Sequence, residues 1–208
     1  MDFALTSEQQ RIRDRARQFA REEVAPLARE ADATGSLPRQ LIARLAELGF
    51  LAGPLDAAYG GAGMDSLSFA LVCEELGWAD SSLRGFLTVH AGLVTMCIRA
   101  WGTDEQRARW LPRLASGQSI GCYCLTEPEA GSDAASIQTI ATADGGDYVL
   151  NGEKIWITNG TIADLAIVFA TRDPAARHRG ICAFLIPTET PGFQRERMPG
   201  EALGHRAS

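Results

Sequence analysis

Gly117-Gln118-Ser119-Ile120-Gly121-Cys122-Tyr123-Cys124-Leu125 is the stretch at which the chain changes its rhythm. Before it, apolar residues recur every three or four positions, the spacing of one helix face. From Ser119 onward they come in short β-prone runs bounded by turn residues. Outward toward the start, Thr6 with Gln9 forms a capping box, in which each satisfies an orphan backbone donor of the other. The helix that follows is predicted to run to about Ala31, with Ile12, Ala16, Phe19 and Ala20 on one face and Pro26 kinking or ending it. Pro38 suits a first helical position, Leu41, Ile42, Leu45 and Leu48 follow at helical spacing, and Gly49 fits the stop. Residues 53–65 read as a Gly-rich loop and residues 66–78 and 81–100 as two further helices. Thr103 with Gln106 opens a short one carrying Trp110 and Leu114.

Outward toward the end, residues 119–125 read as a strand. Residues 148–150 and 153–158 flank Asn151-Gly152, a strong two-residue hairpin signal because both residues tolerate positive φ. Residues 165–170 and 181–186 are buried-strand candidates. Helices followed by strands predict an α+β protein: an all-α domain over 1–117, then an antiparallel β-barrel or sandwich domain over 118–208.

The chain has 208 residues, 46% of them apolar and 22% charged, an ordinary globular balance. Its net charge of −6 and its scattered arginines argue against a nucleic-acid partner. Lys154 is the only lysine. No uninterrupted apolar run approaches the ~18 residues that span a membrane, so no membrane insertion is expected. The first residues lack a signal-peptide pattern. The five cysteines, Cys73, Cys97, Cys122, Cys124 and Cys182, include no CxxC pair and read as reduced thiols of a cytoplasmic protein.

The common catalytic signatures fail. Gly60-Gly61-Ala62-Gly63 lacks dinucleotide or P-loop spacing and reads as plain loop. His90, His178 and His205 have no ligand spacing, so no metal site is expected. No Gly-x-Ser-x-Gly elbow occurs. What stands out is Tyr123-Cys124-Leu125-Thr126-Glu127-Pro128-Glu129-Ala130-Gly131-Ser132-Asp133, where a strand exits into a polar turn. Thr126 places a hydroxyl at the strand end, and Gly131-Ser132 offers amides and a hydroxyl able to approach a phosphate. An ordinary strand-to-loop exit is the competing reading.

This stretch resembles the signature of the acyl-CoA dehydrogenase family without mismatch through Ser136. Three further segments resemble the family in the same order: residues 59–64, residues 102–117, and Asn151-Gly152-Glu153-Lys154-Ile155-Trp156-Ile157-Thr158-Asn159. The resemblance covers the chain but only the first part of a family member. Leu203-Gly204-His205-Arg206-Ala207-Ser208 is similar to a mid-domain segment that family members follow with more strands.

The resemblance implies FAD, held along Tyr123, Cys124, Leu125, Thr126, Glu127, Pro128, Glu129, Ala130, Gly131 and Ser132 and by Trp156, Ile157 and Thr158. Thr126 would meet the pyrimidine edge of the flavin, Ser132 the pyrophosphate and the bound acyl group, Trp156 the flavin flank, and Thr158 the neighbourhood of N5. The implied reaction is α,β-dehydrogenation of an acyl thioester to a trans-2-enoyl thioester. The catalytic carboxylate belongs to a later helical domain, so no catalytic residue is expected here and the isolated chain is expected to be inactive and to bind FAD weakly if at all. Ser81-Ser82-Leu83-Arg84 resembles members that place an arginine against a polar or carboxylated acyl group, which makes Arg84 a substrate candidate; a solvated helix residue is the alternative. Implied partners are acyl-CoA or an acyl-carrier-protein thioester, an electron-transfer flavoprotein as acceptor, and further copies in a homo-oligomer. Two other readings stay open: a non-catalytic flavin- or acyl-binding module that pairs with a longer chain, and a remnant without function.

Overall fold

The computed structural model describes residues 4–198 and Arg206. The expectation for residues 203–208 therefore lies, except for Arg206, outside the described residues.

The helical region opens as expected. Thr6 accepts from the Gln9 amide at 3.2 Å and Gln9 returns its side-chain carbonyl to the Thr6 amide at 3.0 Å, starting α1 (Ser7–Phe19). Pro26 neither stops nor breaks the run. Five residues, Ala20–Val24, widen into a π turn, and α2 (Ala25–Thr34) resumes with Pro26 in its first turn, where a missing N–H costs little. Then come α3 (Arg39–Glu47), stopped by Gly49 at φ 73°, α4 (Ser66–Ala79), and a long continuous helix built of α5 (Ser81–Leu87), a π stretch (Thr88–Thr95) and α6 (Met96–Trp101). The second capping box, Thr103 with Gln106, opens α7 (Asp104–Ala115).

The long helix bears on the membrane expectation. Ser81–Trp101 has 21 residues, and an 18-residue stretch within it has a mean hydropathy of 1.2, enough by length and composition alone to cross a membrane. It contains no long uninterrupted apolar run, because Arg84, His90 and Arg99 punctuate it. Half of that stretch is buried inside the protein. Leu83, Phe86, Leu87, Ala91 and Val94 are fully enclosed in it.

Among the described residues five strands form one sheet: β1 (Gly121–Cys124), β2 (Ile140–Asp144), β3 (Asp147–Asn151), β4 (Leu165–Thr171) and β5 (Ile181–Pro187). The sheet is mixed rather than antiparallel. β2–β3 and β4–β5 pair antiparallel, but β1 runs parallel to β4 with Cys122 opposite Ala166, and β2 meets β4 parallel at Ile140 and Thr171. The parallel pairs join strands far apart in sequence, which hydrophobic period cannot register. β4 is apolar nearly throughout and buried on both sides, as a central strand must be. Its Leu165 and Ile167 pack on Val94, Ile98, Leu111 and Leu114 of the helices. Ala166 and Val168 face the other way, with Cys122 and Cys124.

The hairpin loop precedes the expected Asn151-Gly152. Its loop is Gly145-Gly146, with Gly145 at φ 61° and Asp144 paired to Asp147. Gly152 serves a different purpose: a Cβ there would lie 2.3 Å from the Thr139 hydroxyl oxygen, so glycine allows two backbones to pass. Residues 153–158 form no strand.

Candidate functional site

The exit from β1 is fixed by a buried carboxylate. Glu127 and Ala130 exchange backbone hydrogen bonds, Glu127 N–H to Ala130 C=O at 3.0 Å and the reverse at 3.2 Å, which folds Pro128-Glu129 into an exposed tip. The Glu127 side chain turns inward and is 4% exposed. It accepts from the Gln138 amide, the Thr139 amide at 3.0 Å, the Thr139 hydroxyl and Lys154 Nζ at 2.6 Å. Burial is the largest single influence on its pKa and would raise it. The opposing bonds from Lys154, Thr139 and the two amides together outweigh burial and hold the carboxyl below its usual range. Lys154 also donates to Leu125 C=O at 3.1 Å.

The segment after β3 comes to the same place by a route other than a hairpin. Ile155 N–H donates to Thr126 C=O at 2.9 Å, so the residues on either side of Thr126 and Ile155 lie on adjacent backbones. Trp156 follows at φ 58° and is 56% exposed. A left-handed backbone is strained for a bulky aromatic. Ile157 and Thr158 are half-buried, and Asn159, again left-handed at φ 69°, is fully enclosed.

The thirteen positions expected to hold a cofactor therefore divide by orientation. Pro128, Glu129, Gly131, Ser132 and Trp156 are exposed; Tyr123, Leu125, Thr126, Ile157 and Thr158 are half-buried; Cys124, Glu127 and Ala130 are buried. A Cβ added to Gly131 would touch nothing within 4 Å, so the loop is open there. Cys124 and Cys122 lie 3.6 Å apart, sulfur to sulfur, beneath the exit. The side chains of Cys124, Glu127 and Ala130 are turned into the protein at the base of the loop.

Arg84 sits apart from this cluster, exposed on α5. Its stem runs along α4, 3.6 Å from where a Cβ on Gly77 would stand. Two partly open concavities, about 220 and 280 Å³, lie elsewhere: one beside Trp110 and Thr188, the other between Arg17 and Trp78. Depth therefore does not mark the candidate site, which is an open surface where three backbone segments meet. Among the described residues no cluster of three His, Cys, Asp or Glu could hold a metal ion.

Residues 6–118 match the acyl-CoA dehydrogenase N-terminal domain and residues 122–208 the acyl-CoA dehydrogenase middle domain. The chain belongs to the acyl-CoA dehydrogenase family.

It is 41% identical over its whole length to the short-chain specific acyl-CoA dehydrogenase of Clostridium acetobutylicum, covering 55% of that protein. A glutaryl-CoA dehydrogenase from Mycobacterium smegmatis in complex with FADH2 is 40% identical, with a TM-score of 0.88 over 94% of this chain and 49% of that one. The prolyl acyl carrier protein oxidase AnaB is 36% identical, with a TM-score of 0.82 over 91% of this chain and 50% of that one. The chain thus spans about half the length of the acyl-CoA dehydrogenases it matches.

Several supports of the family site gave no clear signal in the sequence. Lys154 stands within a family segment whose resemblance assigns it no role; being the single lysine beside an apolar run is the available clue. His90 and Asn159, discussed below, are enclosed polar residues among helix- and turn-forming neighbours, which periodicity cannot distinguish from surface positions. Arg206 donates to the Asp80 carboxylate, 126 residues away, and to Ala28 C=O at 3.2 Å, 178 residues away. Asp80 in turn caps α5 through the Ser82 and Leu83 amides.

Proposed function

We propose that residues 1–208 are the flavin-contacting part of an acyl-thioester dehydrogenase. FAD would lie with its ring system against Trp156, near Thr126 and Thr158, and with its pyrophosphate over Gly131-Ser132. The observation that carries this is Trp156, a strained and exposed indole on a backbone braced from both sides. Strain of this kind costs about 1–3 kcal/mol and persists at ligand clamps. A flat heteroaromatic ring laid on the indole would recover the lost burial. The hydroxyls of Thr126, Thr158 and Ser132 and the open backbone at Gly131 suit a neutral hydrogen-bonding edge and a phosphate, so the residues present fit the cofactor.

FAD, when bound, supplies the hydride acceptor. The chain's own residues orient it and shield the reacting face from water. Proton abstraction from the α carbon needs a carboxylate within hydrogen-bond reach. Glu127 is committed to Lys154, Thr139 and Gln138, and Glu129 sits at the exposed tip, so neither is assigned as the base. The proposed substrate is an acyl thioester of CoA or of a carrier protein. Arg84 is proposed to meet a polar or carboxylated acyl group through a charge-assisted bond. An electron-transfer flavoprotein as acceptor, a homo-oligomeric whole enzyme and a cytoplasmic location complete the reading.

The test is FAD titration of residues 1–208, followed by quenching of tryptophan fluorescence. The expected result is weak but saturable quenching, reduced by Thr158→Ala and lost in Trp156→Phe. Quenching that never saturates, or that Trp156→Phe leaves unchanged, overturns the flavin assignment. No acyl-CoA-dependent dye reduction is expected from this stretch alone; turnover would make a carboxylate within it the base.

A further inference from the structure

Asn159 closes the turn that carries Trp156 and Thr158, and its amide nitrogen holds two other elements at once. Nδ2 donates to Phe86 C=O at 3.2 Å and to Gly121 C=O at 3.2 Å. Both neighbours are carbonyl oxygens, so only the NH2 group can face them and the amide orientation is decided by chemistry. Phe86 lies on α5, two residues beyond Arg84. Gly121 begins β1, which runs into Thr126.

The other half of the same amide is idle. Asn159 Oδ1 is enclosed and has no hydrogen-bond partner. An unpaired buried carbonyl is destabilising, because it has lost its water without gaining a donor. Glycine would take the left-handed backbone at φ 69° without strain and without that cost. Stability alone therefore does not explain an asparagine here; what its NH2 group holds together does.

Gly121 is gripped from other sides too. Its N–H donates to His90 Nδ1 at 3.2 Å, and His90 Nε2–H donates to Leu114 C=O at 3.0 Å. A Cβ on Gly121 would lie 2.5 Å from Val94 Cγ1, so the strand is pressed against the helix with no room to slide. His90 and Val94 belong to the same long helix as Phe86 and Arg84.

We infer that Asn159 is a positioning residue that sets the registry between the helix bearing Arg84 and the turn bearing Trp156 and Thr158. It thereby fixes where an acyl group stands relative to the flavin. The inference rests on the flavin reading above.

The experiment compares the 208-residue chain with Asn159→Gly, which keeps the backbone conformation and removes the amide, and with Asn159→Asp, which keeps the shape and sets oxygen against two carbonyls. Two readouts are followed: amide hydrogen exchange, and the visible band of added FAD together with its Kd. In Asn159→Gly, exchange at residues 155–158 is expected to rise about tenfold with α1 and α7 unchanged. The FAD Kd is expected to rise by a similar factor with a shifted flavin band, because the two hydrogen bonds that hold the turn are lost. Asn159→Asp is expected to do more. If Asn159→Gly does not fold, Asn159→Ser, which retains one donor, takes its place. Exchange that rises uniformly, or a flavin band and Kd identical to those of the parent, overturns the positioning role. If the parent binds no FAD, the flavin reading falls by itself; unchanged exchange at 155–158 in the variant then overturns the clamp, and a rise confined to those residues supports it.

Discussion

The helical and sheet regions are held by different kinds of contact. In residues 6–118, the element boundaries follow from neighbours three or four residues apart: Thr6 with Gln9, Thr103 with Gln106, and Asp65 with the Ser68 amide. In the sheet, the decisive contacts are remote: β1 with β4, Lys154 with Glu127, and Asn159 with Phe86. The first region is specified by short-range signals and the second by the closing of long loops, which cost entropy before they bring any contact. The sheet should therefore respond more sharply to loss of one buried polar partner than the helices do to loss of one cap.

The largest effect is expected at Glu127. Glu127→Ala leaves the Lys154 ammonium and two amides buried without their acceptor, and should cost about 3–5 kcal/mol. Urea unfolding monitored in the sheet measures it. Because the folded carboxyl titrates below its usual 4.5, its contribution is complete above that pH and disappears as pH falls through the folded value. The variant should consequently be less sensitive to acid in that window than the parent.

Core truncation tests whether the two regions unfold together. Leu45 in the helices and Leu165 in β4 are both fully enclosed. Each change to Ala should cost about 2–5 kcal/mol. A single shared transition in both variants means one cooperative unit; separate midpoints for helix and sheet probes mean two.

His90, which joins the regions, should make them pH-dependent. Burial lowers its pKa from 6.5 to about 4, opposed by its bond to Leu114. The neutral ring is the folded form, so its contribution is complete above pH 6.5 and falls as acid approaches pH 4, by roughly 3 kcal/mol in all. No carboxylate stands among its direct partners, which are Leu114 C=O, the Gly121 amide and the Phe86 ring stacked at 5.8 Å. His90→Asn should flatten stability between those limits in acid titrations followed by circular dichroism.

The smallest change is expected at a cap. Thr103→Ala removes one acceptor from the start of α7 and should cost about 1 kcal/mol, read as a modest fall in Tm.

The sequence made the same division visible. Both capping boxes, the stop at Gly49 and the five helical runs could be read from local chemistry, because helix ends are decided within one turn. The strands at residues 121–124, 165–171 and 181–187 were legible as apolar runs, but not whom they pair with, so the mixed sheet was missed. Asn151-Gly152 misled because glycine has two uses, positive φ and close approach, and the Thr139 contact that decides between them is remote. At the candidate site, Thr126 and Thr158 are marked by the family segments, while Lys154, Asn159 and His90 carry no local signal, since their partners lie 24 to 73 residues away.

The Lys154–Glu127 contact has a practical corollary for chemical labelling. With one lysine in 208 residues, 10% exposed and engaged by a carboxylate, the folded stretch offers lysine-directed reagents almost no side-chain target. Acylating dyes and lysine-directed crosslinkers would therefore leave its side chains nearly unmarked until the sheet opens. Appearance of a label on Lys154 would then time the undoing of the β1 exit, with no engineered probe required.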